Sequence, residues 1–267
     1  MAKLKLIACD LDGTLLLNGA QSLRADTCGL IQGLLDRGIL FFAASGRQYT
    51  NLRRLFEPVK ENIGYLCENG CVSFYHGEML HKVRMERALA QEIITAIQQK
   101  EGAEVLVSGV MVSYLQPKDM RYYYHMRDVV KNDVVIVPDL LDIGEEYMKV
   151  SAYVEGGVKD EDDWKKRFGD RCTVVTGGND WLDMMPKNVN KAVALRGVLE
   201  KLGISPEECM AIGDNDNDRE MLELVGFPAA VVSAKPGIRA IAREETDTVE
   251  QLFERILSGE WRENENR

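Results

Sequence analysis

The sequence predicts an α/β fold, a doubly wound parallel sheet carrying an inserted α+β domain. Three observations support this. Short β-rich runs alternate with amphipathic stretches up to about residue 60, closely spaced strand candidates replace that alternation near residue 83, and the β-α alternation returns after Pro186. The expected division is 1–83 and 187–267 for the doubly wound core and 84–186 for the insertion.

Each element has a local reason. Residues 4–9 form a short β-rich run followed by a Gly-containing loop, then an amphipathic helix with Ile31, Leu34 and Leu35 on one face, ended by Gly38. Residues 39–44 are apolar on both faces, as a central parallel strand must be, and lead into Ser45-Gly46-Arg47 and a helix bearing Leu52, Leu55 and Phe56. A third strand is expected at 65–67, and 72–75 with 79–83 reads as a hairpin around His76-Gly77. In the insertion, a helix carrying Leu89, Ile93, Ile94 and Ile97 precedes strands at 105–107, 110–115, 134–137 and 148–154. A helix over 160–168 and strands at 173–176 and 181–185 complete it. The core then resumes with a helix containing Leu195, Val198 and Leu199 that stops at Gly203. A strand at 209–212, a helix at 219–225, a strand at 229–232 and a last helix through Leu252, Phe253 and Ile256 follow, and the polar residues 263–267 are expected to fray.

Composition narrows the function. The 267 residues are 45% hydrophobic and 28% charged, an ordinary globular balance, and the net charge of −10 disfavours nucleic acid and anionic lipid as partners. The apolar stretch after Met-Ala-Lys-Leu-Lys stops at Asp10, too early for a signal peptide, and the longest apolar run, 39–44, is far short of the roughly 20 residues of a membrane helix. A cytoplasmic location is therefore expected, with the six cysteines reduced: they form no C-x-x-C pair and no zinc-ligand spacing with the three histidines.

In an open parallel sheet, ligands bind beyond the carboxyl ends of the strands. Three strand ends here carry reactive groups: Asp10-Leu11-Asp12-Gly13-Thr14, Ser45-Gly46-Arg47, and Gly213-Asp214-Asn215-Asp216-Asn217-Asp218. Asp10 and Asp12, two apart in an extended segment, are expected to face one site, where their repulsion calls for a cation. Hard carboxylate oxygens from Asp10 and Asp214 suit Mg²⁺, which favours phosphate-bearing ligands. Ser45, the Gly46 amide and a lysine would hold the phosphate oxygens. Lys191 is the candidate and Lys187 its competitor, while Asp216 reads as a solvated loop acid.

Together these residues resemble the haloacid dehalogenase-like hydrolases, in particular their Cof-like branch with a class IIB cap. Asp10 to Thr14, Ser45 to Arg47, Lys191, and Gly213-Asp214 with Asn217-Asp218 are similar to the four motifs of that family, in its order, and Glu68-Asn69-Gly70 is similar to a segment typical of the branch. Two departures are Ala192, where the family usually has Gly after the motif lysine, and the stretch 237–249, which lacks the usual pattern. The resemblance implies a Mg²⁺-dependent phosphatase of small phosphorylated metabolites, sugar phosphates above all, working through an aspartyl-phosphate. Asp10 would be the nucleophile and Asp12 the acid and base, with Ser45 and Lys191 completing the catalytic set. The metal would be held by the Asp10 side chain, the Asp12 backbone carbonyl and Asp214, with Asp218 in support. Ser45, Gly46, Lys191 and Asn217 would contact the phosphate, and Thr14 would shape the loop.

By the same resemblance the insertion is a cap that reads the leaving group. Arg121-Tyr122-Tyr123-Tyr124-His125 is its most suggestive stretch for lining a sugar pocket, with partial burial in a core as the plainer reading. A phosphomutase would use the same aspartyl-phosphate. A phospho-Asp signalling receiver combines similar groups but needs no cap.

Overall fold

The computed structural model describes residues 3–176 and 180–261; the segment 263–267 lies outside them. The chain divides into two compact units, one made of Met1–Ser45, Leu52–His81 and Asn190–Arg267, the other of Gly46–Asn51 and Lys82–Val189.

The strands and helices of the first unit run in the order β1 (Leu6–Asp10), α1 (Thr27–Asp36), β2 (Leu40–Ala44), α2 (Tyr49–Leu55), β3 (Gly64–Cys67), β4 (Val72–Tyr75) and β5 (Glu78–Lys82), α2 and β5 reaching into segments of the second unit. Between β5 and the chain's return to this unit come the elements of the second: α3 (Arg87–Gln98), β6 (Ala103–Ser108), β7 (Ser113–Leu115), α4 (Met120–Tyr124), β8 (Val134–Ile136), β9 (Lys149–Val154), α5 (Glu161–Phe168), β10 (Cys172–Thr176) and β11 (Trp181–Pro186). The first unit closes with α6 (Lys191–Leu202), β12 (Cys209–Gly213), α7 (Arg219–Leu224), β13 (Phe227–Val231), α8 (Pro236–Arg239), β14 (Glu244–Thr246) and α9 (Val249–Ser258).

The first sheet has the order β14-β13-β12-β1-β2-β3-β4-β5. Its strands from β14 to β3 pair in parallel and β4 reverses against β3. The five residues of β1 are all buried, and they lie between β2, which follows in sequence, and β12, which arrives some 200 residues later. That is a topological switch point, where the chain winds away from one strand in both directions and leaves a crevice at the carboxyl ends. Helix α9 is amphipathic, burying Val249, Leu252, Phe253 and Ile256, and Gly259 ends it in the left-handed conformation. The Phe253 ring meets Phe41 of β2 edge-on, centroids 5.9 Å apart, so the last helix locks a central strand.

The second unit holds a six-stranded sheet of order β10-β11-β9-β6-β7-β8, antiparallel except between β7 and β8. One face, with Val105, Val107, Val150, Ala152, Leu182 and Met184, joins a core with α3 and α5. The other carries a smaller cluster of Leu106, Leu115, Tyr122 and Met126. Tyr122 stacks on Tyr153 at 5.3 Å, so that member of the tyrosine run is a packing residue, whereas Tyr124 is exposed under the Arg127 guanidinium. Helix α5 has its acids in the first turn and its bases in the last, as its dipole favours.

Three expectations need correction. The strand expected at 110–115 is only Ser113–Leu115, because the chain turns first, with the Gly109 N–H donating to Val112 O at 2.9 Å. The short edge strand β14 has no counterpart among the expected elements, since two glutamates in three residues leave no apolar pattern to read. Finally, residues 46–51, expected in the core, group with the second unit. There the buried Gln48 amide donates to Ser113 Oγ at 3.2 Å and accepts from the Asp133 N–H at 3.0 Å, and Asn51 donates to Val130 O at 2.7 Å.

Replacing Phe253 by Ala removes a fully buried ring from the α9 contact. Chemical denaturation followed by circular dichroism should show a loss of about 3–5 kcal/mol, the usual cost of a Phe→Ala cavity; a loss under about 1 kcal/mol would show that α9 is not part of the cooperative core.

Candidate active site

β1 delivers Asp10 to the carboxyl edge of the sheet, where its register partner is Ala44, the residue before Ser45; β12 ends beside it at Gly213, before Asp214. Asp10 is 5% exposed and Lys191 only 1%. The Lys191 ammonium donates to Asp10 Oδ1, and to Asp218 Oδ1 at 2.7 Å. Lys191 sits there because it is the first residue of α6, whose amino end is capped by the Asn190 side chain accepting from the Val193 N–H at 2.9 Å. Lys187, the competitor, is exposed and donates instead to Asp170 O.

The turn after β1 folds back on itself: the N–H of Thr14 and of Leu16 both donate to Leu11 O, at 3.1 and 2.7 Å. Gly13 has φ +95°, and a side chain there would lie 2.4 Å from Asp214 Oδ2, so only glycine lets this loop close on the acid. Thr14, fully buried, donates its hydroxyl to Asp214 Oδ1 at 2.9 Å. The other Asp218 oxygen accepts the N–H groups of Asp214 and Asn215, both at 3.1 Å. Asp218 thus braces both the Asp214 loop and the lysine.

Asp10, Asp214 and Asp218 each offer an oxygen within 4.8 Å of the others. Asp12 is not in that group. Its side chain is exposed: β1 ends at Asp10 and the chain turns at once. Asn217 is likewise exposed, on the turn Asp216–Asp218. Asp216 is exposed and paired with Lys235 at 2.7 Å, a solvated loop acid as expected.

Ser45 is 1% exposed and its backbone is held from both sides: its N–H donates to Leu66 O at 2.8 Å and its carbonyl accepts from the Asn69 N–H at 3.0 Å. Glu68, Asn69 and Gly70 all have positive φ (50°, 54° and 101°), an unusual run that presents the Asn69 amide to Ser45. A side chain at Gly70 would lie 2.3 Å from Asn190 O, so the same turn is also pressed against the start of α6. In the sequence this segment stands out only by its resemblance to the Cof-like branch, and its consecutive Asn-Gly is the signal of a left-handed turn.

Burial, then the nearby Asp218 charge, pushes the Asp10 carboxyl well above its ordinary range against the pull of Lys191, and burial raises Asp214 too. Burial would depress Lys191, but the Asp10 and Asp218 carboxylates hold it above a free lysine, so it stays protonated. Asp10 Oδ2 is buried without a hydrogen-bond partner. An orphaned carboxylate oxygen among three acids fits a hard divalent cation, with Asp10 and Asp214 as donors.

The model of the haloacid dehalogenase-like hydrolases matches residues 7–252. The chain belongs to this family, in its Cof-like branch. It is 27% identical over 248 residues, 90% of this chain and 89% of the other, to 5-amino-6-(5-phospho-D-ribitylamino)uracil phosphatase YbjI of Escherichia coli K12. The HMP-PP phosphatase of Citrobacter koseri is 26% identical over 245 residues, covering 88% of this chain and 87% of its own. The solved structure of the HAD subclass IIB sugar phosphatase BT4131 superposes with a TM-score of 0.77 at 20% identity, over 94% of this chain and 98% of that one, and so shares its fold. Among the described residues no helix is long and apolar enough to cross a membrane.

The raised acids set a pH dependence. Carboxyls with raised folded-state values favour the fold while protonated, and that contribution is lost as pH rises through those values; a bound cation restores stability only on the high-pH side. A divalent cation should therefore raise the melting temperature clearly at about pH 8, less at about pH 5, and not at all in Asp214→Asn. An equal rise at both pH values would place the cation elsewhere.

Proposed function

We propose that this enzyme is a Mg²⁺-dependent phosphatase that hydrolyses monoesters of small phosphorylated metabolites, sugar phosphates foremost, through an aspartyl-phosphate on Asp10. The observation that carries the reading is the Asp10 carboxylate itself. One oxygen is fixed by the buried Lys191 ammonium, and the other is buried without a partner beside Asp214.

Mg²⁺, held by the side chains of Asp10 and Asp214 and the Asp12 carbonyl, would supply charge neutralisation that lets a carboxylate approach a phosphate. Lys191 favours the ionised form of Asp10 and orients it, so that its carboxylate oxygen attacks phosphorus and the ester oxygen departs. Asp12, exposed on the turn after β1, is free of the burial that holds Asp10 and suits proton transfer: it protonates the leaving oxygen, then takes a proton from the water that cleaves the acyl phosphate. Ser45, the Gly46 amide, Lys191 and Asn217 contact the phosphate oxygens, and Thr14 keeps Asp214 aimed. The second unit, inserted between Ser45 and Lys191 in sequence, is the natural source of leaving-group selectivity. The names of the relatives, a phosphoribitylaminouracil phosphatase, an HMP-PP phosphatase and a sugar phosphatase, support small esters with varied leaving groups. No membrane or nucleic acid partner is required, and a cytoplasmic site of action is consistent with such metabolites.

Phosphate release should be measured from sugar phosphates, nucleotides, pyridoxal phosphate and p-nitrophenyl phosphate, with Mg²⁺ or EDTA. Wild type should turn over at least one ester only with Mg²⁺, Asp10→Asn none, and Asp12→Ala should lose roughly 10²–10⁴ in kcat, the range for a general acid-base group. Metal-independent turnover, or full activity of Asp10→Asn, would overturn the mechanism.

A further inference from the structure

The second unit contains a buried charged network that the reaction above does not use. Lys149 and Asp183, on adjacent strands β9 and β11, are each 5% exposed and their charged groups lie 3.2 Å apart. Asp183 accepts in addition from Ser151 Oγ at 2.6 Å; Ser151 is its direct register partner and is wholly buried. The Lys149 ammonium also donates to the carbonyl oxygen of Gly46 at 3.3 Å. Lys149, Ser151 and Asp183 lie on the sheet face opposite the α3 and α5 core, since the alternate residues Val150, Ala152, Leu182 and Met184 belong to that core.

A charged lysine in a sheet interior is costly unless fully partnered, and an apolar residue would serve packing better. Its position is explained by what it holds. Gly46 immediately follows Ser45, and the peptide between them is where the chain passes from the first unit to the second. Gly46 itself has no side chain to anchor it. The segment after it is held by hydrogen bonds from Gln48 and Asn51, and Lys149 adds a donor from the sheet.

We propose that Lys149 is a positioning residue: braced by Asp183 and Ser151, it fixes the Gly46 carbonyl and so restrains, from its carbonyl side, the glycine whose amide in the preceding peptide plane is offered to the substrate phosphate. The assignment rests on the phosphatase reading. Lys149 acts through Gly46, and a phosphate-binding amide serves ground state and transition state alike, so its loss weakens binding more than it slows chemistry.

The test is steady-state kinetics with the best ester of the panel, with inorganic phosphate as competitive inhibitor, on wild type, Lys149→Met, Lys149→Arg and Ser151→Ala. Trp164→Ala serves as a control that loosens the opposite face of the same sheet. Lys149→Met should raise KM and the inhibition constant of phosphate together by about tenfold, the scale of one charge-assisted hydrogen bond, with kcat changed less than about threefold. Lys149→Arg should recover part of that loss, Ser151→Ala should shift both constants in the same direction, and Trp164→Ala should lower the melting temperature without moving either. Unchanged constants in Lys149→Met, or a fall in kcat alone, overturn the assignment; if Lys149→Met does not fold, unchanged constants in both Lys149→Arg and Ser151→Ala do so. Wild type that hydrolyses no ester overturns the phosphatase reading and this assignment together, an outcome distinct from active wild type with indifferent variants.

Discussion

The Lys191 ammonium lies between the carboxylates of Asp10 and Asp218, with almost no access to water. Removing one partner of such a pair leaves a buried charge uncompensated, typically at about 3–5 kcal/mol, so the three residues stand or fall together. They come from three separate places: the end of β1, the start of α6 and the turn after β12. Much of the local architecture follows from holding them in register. Asn190 caps α6 so that its first residue is fixed, Gly70 lets the strained turn approach that cap, and Gly13 lets the β1 loop close on Asp214.

The sequence made the doubly wound unit legible for a physical reason. A central parallel strand is buried on both faces, so residues 6–9 and 40–44 read as continuous apolar runs, and Asp10 and Ser45 fall directly after them. Edge strands give no such signal: β14 carries Glu244 and Glu245, and nothing distinguishes it from a loop until it pairs with β13. Asp10, Asp214 and Lys191 could be nominated from strand-end position and family pattern alone. The exposure of Asp12 could not, because it depends on a tight turn whose hydrogen bonds return to Leu11 rather than continuing the strand. Nor could the placement of residues 46–51, since Gln48 and Asn51 look like ordinary polar positions at the start of a helix, and their partners lie about 65–80 residues away.

One run of consecutive strained backbone lies beside the site. Glu68, Asn69 and Gly70 adopt consecutive left-handed conformations, which for the non-glycine residues costs on the order of 1 kcal/mol or more each. Such a turn persists only where its surroundings over-determine it. Here β3 leads into it, β4 leaves it antiparallel, and Ser45 and Asn190 hem it in. The outcome is a rigid support under Ser45, made of backbone rather than side chain, which explains why its chemistry is invisible to a search for reactive residues.

The electrostatics of the site contain an opposition that the reaction turns to use. The nucleophile proposed above must be ionised, yet burial and the neighbouring Asp218 both press the Asp10 proton on, and one lysine shared between two acids cannot cancel them fully. The surplus negative charge also repels the anionic substrate, on a protein whose net charge is already −10. On the proposed reading, a divalent cation held by Asp10 and Asp214 would answer both difficulties at once, favouring the ionised nucleophile and reversing the sign of the field that a phosphate meets. On that reading, the acids that weaken the metal-free fold are the ones that would hold the cation and, through it, the phosphate ester.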